Sequence, residues 1–297
     1  MIKNNILSFL GVAILIVSSG CTDDAPANED SIESTKKEMR FSFSLPSVTK
    51  ATETSFEQGD HVGLFVTDVA APLEIAGNIV NNEPFTNTGN AWVSSRKLYW
   101  NDGLHNVYAY YPYSQEVSSV SDYPFSVSTD QREKGSASEP KGFEASDFLF
   151  ASAKEIRASS NPVNMTFRHI MSKLTIRLIK GEDFEGDIPE NATVYIHNTV
   201  PSATIDLNVG VATKAMRGTA ETVIARQSGR TSYSAILVPQ RIDNRVPLIE
   251  VVMSGVSYLY ESRFIFKPGV HHLVSLVVDK NPDQVKIEIG GEITGWN

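Results

Sequence analysis

Val251-Val252-Met253-Ser254-Gly255-Val256-Ser257-Tyr258 reads as a β-hairpin, with Ser254-Gly255 at the turn. A two-residue turn of this kind joins antiparallel strands whose side chains alternate between two faces. The same alternation runs outward from it. Leu248 to Met253 and Ser257 to Phe266 form the arms, followed by His272 to Val278 and Val285 to Ile289. Upstream lie Asn164 to Phe167, Lys173 to Leu178, Thr193 to His197 and Tyr233 to Val238. Nearer the start are Arg40 to Leu45, His61 to Val66 and Asn106 to Tyr111. Gly, Pro, Asn and Asp divide these runs, as they divide short strands. The pattern suits sheets with one buried side.

Helical signals are thin. No stretch of a dozen residues keeps a 3.6-residue period with caps. Many short strands at close spacing argue for sandwiches over alternating βα units. The expected fold is all-β: two tandem β-sandwich domains, transthyretin- or immunoglobulin-like, after an N-terminal leader. Polar Ser160-Asn161-Pro162 places the boundary, giving domains at 39–162 and 163–297. Ser114 to Ser146, rich in Ser, Lys, Glu, Gly and Pro, reads as long surface loops with one strand near Phe125-Ser126-Val127.

The N-terminus has the form of a secretory leader. Lys3 supplies the positive charge, and Ile6 to Val17 is an apolar run of 12 residues. A helix needs roughly 20 residues to cross the hydrocarbon core of a bilayer, so this run fits a signal peptide instead. Ser18-Ser19-Gly20 and then Cys21 follow. A lone cysteine after small residues is a lipobox arrangement, so 1–20 are read as signal peptide and Cys21 as the lipidation site. The residue three before the cysteine is Ser18, where an aliphatic residue is usual; Val17 lies one step further back. Each acyl CH2 placed in lipid contributes about 0.8 kcal/mol, so two or three chains hold a protein to a membrane. Residues 21–38 read as a flexible polar tether, since Ala25 to Ser34 offers little to bury. Cys21 is the only cysteine, which rules out an internal disulfide.

The chain carries 26 basic and 35 acidic residues, a net charge of -9 that becomes -10 once Lys3 leaves with the leader. Nucleic-acid grooves need clustered Lys and Arg, which are absent, so no nucleic-acid partner is expected. Gly-rich phosphate loops, HExxH, CxxC and G-x-S-x-G motifs are missing as well. Six histidines are scattered, and the adjacent His271 and His272 would point to opposite faces of a strand. No cofactor, metal or catalytic residue is therefore expected, and the chain is not read as an enzyme. Chance carboxylate pairs among 35 acids leave a glycosidase dyad open.

Several segments stand out when taken in order. Phe56-Glu57-Gln58-Gly59-Asp60-His61-Val62-Gly63-Leu64-Phe65 reads as the entry to a strand. Tyr99-Trp100 and Tyr108-Ala109-Tyr110-Tyr111-Pro112-Tyr113 read as an aromatic strand end. Asp147-Phe148-Leu149-Phe150-Ala151 and Phe167-Arg168-His169-Ile170-Met171-Ser172-Lys173-Leu174 follow, the latter the most specific. Leu237-Val238-Pro239-Gln240 and Gly291-Glu292-Ile293-Thr294-Gly295-Trp296-Asn297 complete the order. Together and in this order they resemble the fimbrillin family, the Mfa-like subunits of type V pili. These residues also have plain physical readings. Gly59 suits a turn and Gly63 a close strand contact. His169 suits a hydrogen bond to backbone at a bend, and Trp296 a plug for the second sandwich.

The resemblance implies a surface-exposed pilus subunit or adhesin that assembles by donor-strand exchange, a form of β-strand addition. A protease would remove the first strand, and a neighbouring subunit would fill the groove. Phe41, Phe43 and Leu45 mark the candidate removable strand, and Lys50-Ala51 the candidate processing site. Lys50 stands where the family commonly has Arg, so an Arg-only protease would not cut there. Val285, Ile287, Ile289 and Ile293 mark a segment that is either the donor strand or the last strand of its own domain. Acidic Asp23 and Asp24 after Cys21 resemble a surface-export signal, and Asp30-Ser31-Ile32 an O-glycosylation signal with Ser31 as acceptor. The implied location is the outer membrane, cell surface and fimbrium. The implied partners are other pilus subunits, outer-membrane lipid and a host or bacterial surface receptor. The alternative is a stand-alone surface glycan- or protein-binding lipoprotein, with Trp92, Trp100 and Tyr108 to Tyr113 as a suspected aromatic platform; against it, Tyr108, Tyr110 and their neighbours sit in an alternating strand and read as half core.

Overall fold

The computed structural model describes residues 36–45, 55–282, 286–288 and 292–294. Its strands are β1 (Phe41–Ser44), β2 (His61–Asp68), β3 (Val80–Asn87), β4 (Trp92–Ser94), β5 (Leu104–Tyr111), β6 (Tyr123–Ser126), β7 (Leu149–Arg157), β8 (Val163–Thr166), β9 (Arg168–His169) and β10 (Ser172–Lys180). Then come β11 (Thr193–Thr199), β12 (Ser202–Asp206), β13 (Val211–Lys214), β14 (Glu221–Ile224), β15 (Arg226–Gly229), β16 (Ser232–Leu237), β17 (Gln240–Met253), β18 (Val256–Phe266), β19 (Val270–Val278), β20 (Lys286–Glu288) and β21 (Glu292–Thr294). Among the described residues one short helix, α1 (Gly142–Ser146), breaks the pattern. The fold is an all-β sandwich, as alternation predicts.

The opening hairpin forms as read. Met253 pairs with Val256 across Ser254-Gly255. Both turn residues have positive φ, 51° and 76°, the twist that matches antiparallel arms.

Three cores organise the sheets. A sheet ordered β4-β3-β2-β5-β7-β9 has the small parallel pair β1-β8 over one face. A sheet ordered β13-β12-β6 shares a core with the other face. The third core lies between the sheet ordered β15-β16-β10-β19-β20, with β21 also on β19, and the sheet ordered β14-β11-β17-β18.

The central sheet departs from the one-buried-side reading. Val62, Gly63, Leu64, Phe65, Val66 and Thr67 of β2 are all buried. Leu64 and Val66 enter the core with Phe41 and Phe43, while Phe65 enters the core with Ile205, Leu207 and Ile236. A strand covered on both faces loses its polar alternation.

Two further placements differ from the linear reading. Val163, taken as the start of a second domain, opens β8, which pairs with β1 and sends Met165 into its core; Phe167 follows into the same core. The stretch read as surface loops does carry the one strand read near Phe125, as β6 paired with β12, but it also buries Val117, Val120, Val127 and Phe143 in a core. Gln131, 1% exposed, donates to the Ile236 carbonyl at 2.7 Å and accepts from the Ile236 amide at 2.8 Å. The stretch is thus tied to β16 by long-range bonds that no local pattern announces.

Candidate functional site: the first-strand groove

β1 is short, and Phe41 and Phe43 point the same way because strand side chains repeat every two residues. Both are buried, while Ser42 and Ser44 are exposed. Among the described residues the ladder partner of β1 is β8, in parallel register from Phe41↔Val163 to Ser44↔Thr166. The Val163 amide donates to Arg40 O at 2.8 Å and the Phe167 amide to Ser44 O at 2.9 Å. Just before β1, the Met39 amide donates to Leu98 O and the Trp100 amide to Lys37 O, stitching the entering chain to a second segment.

The groove that receives these side chains is aromatic. The Phe41 ring lies 5.4 Å from Phe85 and 6.0 Å from Trp100. The Phe43 ring meets Trp92 at 5.0 Å, Phe85 at 5.7 Å and Phe167 at 5.8 Å, all near perpendicular. Edge-to-face contact sets the positive rim of one ring on the negative face of the next, worth about 0.5–1.5 kcal/mol beyond burial. Burying each Phe side chain contributes about 1.5–3 kcal/mol. Leu45, half-buried, closes the series.

Where β1 ends, a cleft of about 530 Å³ opens, lined by Leu45, Phe56, Asp60, Tyr111, Asp147 and His169 among others. Asp60 accepts from the Glu57 amide at 2.6 Å and from the Tyr111 hydroxyl at 3.2 Å. Burial pushes the Asp60 carboxyl above its ordinary pKa and the Tyr111 phenol above its own. His169 Nδ1 lies 2.9 Å from the Asp147 carboxylate. Lys173, buried nearby, is lowered to about 8 by desolvation, which Asp147 partly offsets. Among the described residues no cluster of His, Cys, Asp and Glu has the arrangement of a metal site.

Half of the suspected aromatic platform is core, while Trp92, Tyr111 and Tyr113 are half-buried. Trp100, Tyr108 and Tyr110 are buried, and Tyr110 fills the space beside Gly63. Tyr108 and Tyr110 share one face of β5 and one core with Phe65, while Trp100, ahead of β5, enters the core of Phe41 and Phe43, so these rings serve packing. Cys21, Ser31, Lys50, Ala51, Val285 and Ile289 lie outside the described residues. Ile287 pairs with Leu276 in β20, and Ile293 pairs with His271 in β21, both on β19 of the same chain. The sequence reading missed Phe85 as a groove wall. Its strand, Val80–Asn87, carries three Asn and a Pro that hide the β signal.

Residues 49–296 match the model of the family described as fimbrillin-like. The chain belongs to the fimbrillin-like family. A relative from Bacteroides ovatus, provisionally named fimbrium tip subunit Fim1C, is 28% identical over 180 residues, covering 54% of this chain. That match spans 32% of the relative's own length. A crystal structure of a provisionally named cell adhesion protein from Bacteroides ovatus superposes with a TM-score of 0.67 at 19% identity, covering 88% of this chain and 97% of the other. A similarly named protein from Bacteroides uniformis gives 0.65 at 17% identity, covering 86% and 97%. These two structures share the fold. The fimbrillin-like segments recognised in the sequence meet in space here: Asp147 with His169, Leu149 with His169 across the β7–β9 ladder, and Gly63 with Tyr110.

Proposed function

We propose that this chain is a surface fimbrial subunit with an adhesive, non-enzymatic role, and that β1 is the strand exchanged on assembly. The observation that carries the reading is the construction of the first-strand groove. β1 holds its place through one ladder and two aromatic side chains, and residues 46–54, containing Lys50 and Ala51, follow directly. Cutting at Lys50 would let β1 leave, exposing unpaired β8 backbone and the faces of Phe85, Trp92, Trp100 and Phe167. An open apolar edge is costly, and an incoming strand restores both pairing and burial. Cys21 would carry the acyl anchor at the outer membrane, ahead of the 21–38 tether. We divide the body into two sandwiches and count β8 and β9 with the first, since they pair with β1 and β7. The pairing of β20 and β21 on β19 of the same chain favours a subunit at one end of a fimbrium over one that donates its last strand.

N-terminal sequencing and intact mass of protein from native cells, with boiled and unboiled SDS gels, test this. A new N-terminus at Ala51 accompanied by a heat-labile ladder is the expected result. An N-terminus still at acylated Cys21 with only a monomer band would remove strand exchange at β1 and leave a stand-alone surface binder.

A further inference from the structure

β18 lies at the end of the order β14-β11-β17-β18, and among the described residues no strand pairs with its outer side. It is 11 residues long and contains neither Pro nor Lys, the residues that commonly blunt an open edge. Its two faces differ. Tyr258 and Phe266 are buried, with Tyr260 and Phe264 packed against the same core. Leu259 and Ile265, each 45% exposed, and Glu261 and Arg263 line the outer face.

The order of residues about Ser262 is self-complementary. Reading outward in both directions, Glu261 answers Arg263, Tyr260 answers Phe264, Leu259 answers Ile265 and Tyr258 answers Phe266. Two copies of β18 laid antiparallel about a two-fold axis at Ser262 would therefore set Glu261 against the partner's Arg263 at both sides of the axis. Leu259 would meet the partner's Ile265 further out. Centring the pair on Glu261 or Arg263 instead opposes like charges, so the sequence selects one register. The backbone agrees. Pro247, which has no N–H, is the β17 partner of Glu261, so at this position the ladder to β17 is without a Pro247 donor. Backbone groups alternate along an antiparallel strand, so those of Leu259, Glu261, Arg263 and Ile265 face outward together. The Arg263 carbonyl already accepts from the Ser262 hydroxyl at 2.8 Å, and its second lone pair stays available. Glu261 also lies 3.5 Å from Arg245, an exposed contact that competes weakly.

We infer that the open edge of β18 is a self-association surface, on which a second copy of this chain adds its own β18 and continues the sheet. The contact is isologous and closes as a dimer, so it is distinct from head-to-tail strand exchange and does not rest on it. Sedimentation of the full chain with its first strand intact, in detergent, supplies the test. The parent is expected to dimerise reversibly. Glu261→Arg or Arg263→Glu alone should weaken the dimer at least about tenfold, because each turns two opposite-charge pairs into like-charge pairs. The double exchange Glu261→Arg with Arg263→Glu should restore it, since the swapped charges meet again across the axis. Melting curves of all four proteins check that the monomer is intact. Ser262→Cys should also form a disulfide-linked dimer on mild oxidation, whereas Ser257→Cys, far from the axis, should not. A parent that stays monomeric to about 0.1 mM, or a dimer indifferent to both single exchanges, overturns the inference. Failure of the double exchange to restore pairing overturns the proposed register.

Discussion

Gly63 shows how one missing side chain sets a packing contact. A Cβ built there would lie 2.2 Å from Tyr110 Cε1. Tyr110 cannot move aside freely, because it is 1% exposed and its hydroxyl donates to Asn82 Oδ1 at 2.8 Å. Gly63→Ala is expected to destabilise the fold by about 1–3 kcal/mol, the usual cost of overpacking, measurable by urea unfolding. Phe43→Ala should cost about 3–5 kcal/mol by the same measurement, since it opens a cavity among Phe85, Trp92 and Phe167. His271 gives a pH signature. Its Nε2 is 2.8 Å from Thr175 Oγ1, and desolvation, with smaller contributions from Lys173 and His272, lowers its pKa from 6.5 to about 4. The unfolded chain takes up a proton on this ring near pH 6.5 and the folded chain holds it off until about pH 4. Stability from this group is therefore present above pH 6.5 and is lost as pH falls toward 4. His271→Gln should flatten that part of the stability curve relative to the parent, whatever the other groups contribute.

Among the elements, β1 is held by a single ladder and by the side chains of Phe41 and Phe43. Its four residues make one ladder, whereas β10 is paired on both sides, with β16 and β19. Elements with few partners open at lower free energy. After cleavage with a lysine-specific protease and mild denaturant to release the first strand, the Val163 and Phe167 amides should lose hydrogen-exchange protection, because their acceptors are Arg40 O and Ser44 O. Amides of Leu174 and Ile176 in β10 should keep theirs. Equal loss at both places would mean that β1 is not a separable unit. The hairpin β17–β18 makes the opposite case: its turn and much of its register are local. Ser254 sits at φ 51°, which Asn tolerates better than Ser, so Ser254→Asn should raise stability by about 0.5 kcal/mol in thermal unfolding.

At the scale of the whole molecule, distant stretches complete one another's cores. Gln131 joins its segment to β16 through two buried bonds to Ile236. Gln131→Leu should cost about 1–3 kcal/mol, because it strands a buried N–H and C=O, with the loss read in urea midpoints. β-Strand content, the arms of the main hairpin, the Gly59 turn and the Gly63 contact were legible in the sequence, since each rests on neighbours or on a residue type with one common use. So was the pairing of Phe41 with Phe43 on one face, fixed by the two-residue period. Tertiary structure alone decided the rest. It covered both faces of β2 and β5, which turned the suspected platform of Trp100, Tyr108 and Tyr110 into core. It drew β8 back to β1 across the stretch read as a boundary, and set β6 beside β12. The reason is physical: alternation tells which side chains share a face, but which sheet arrives to cover that face depends on partners many residues away.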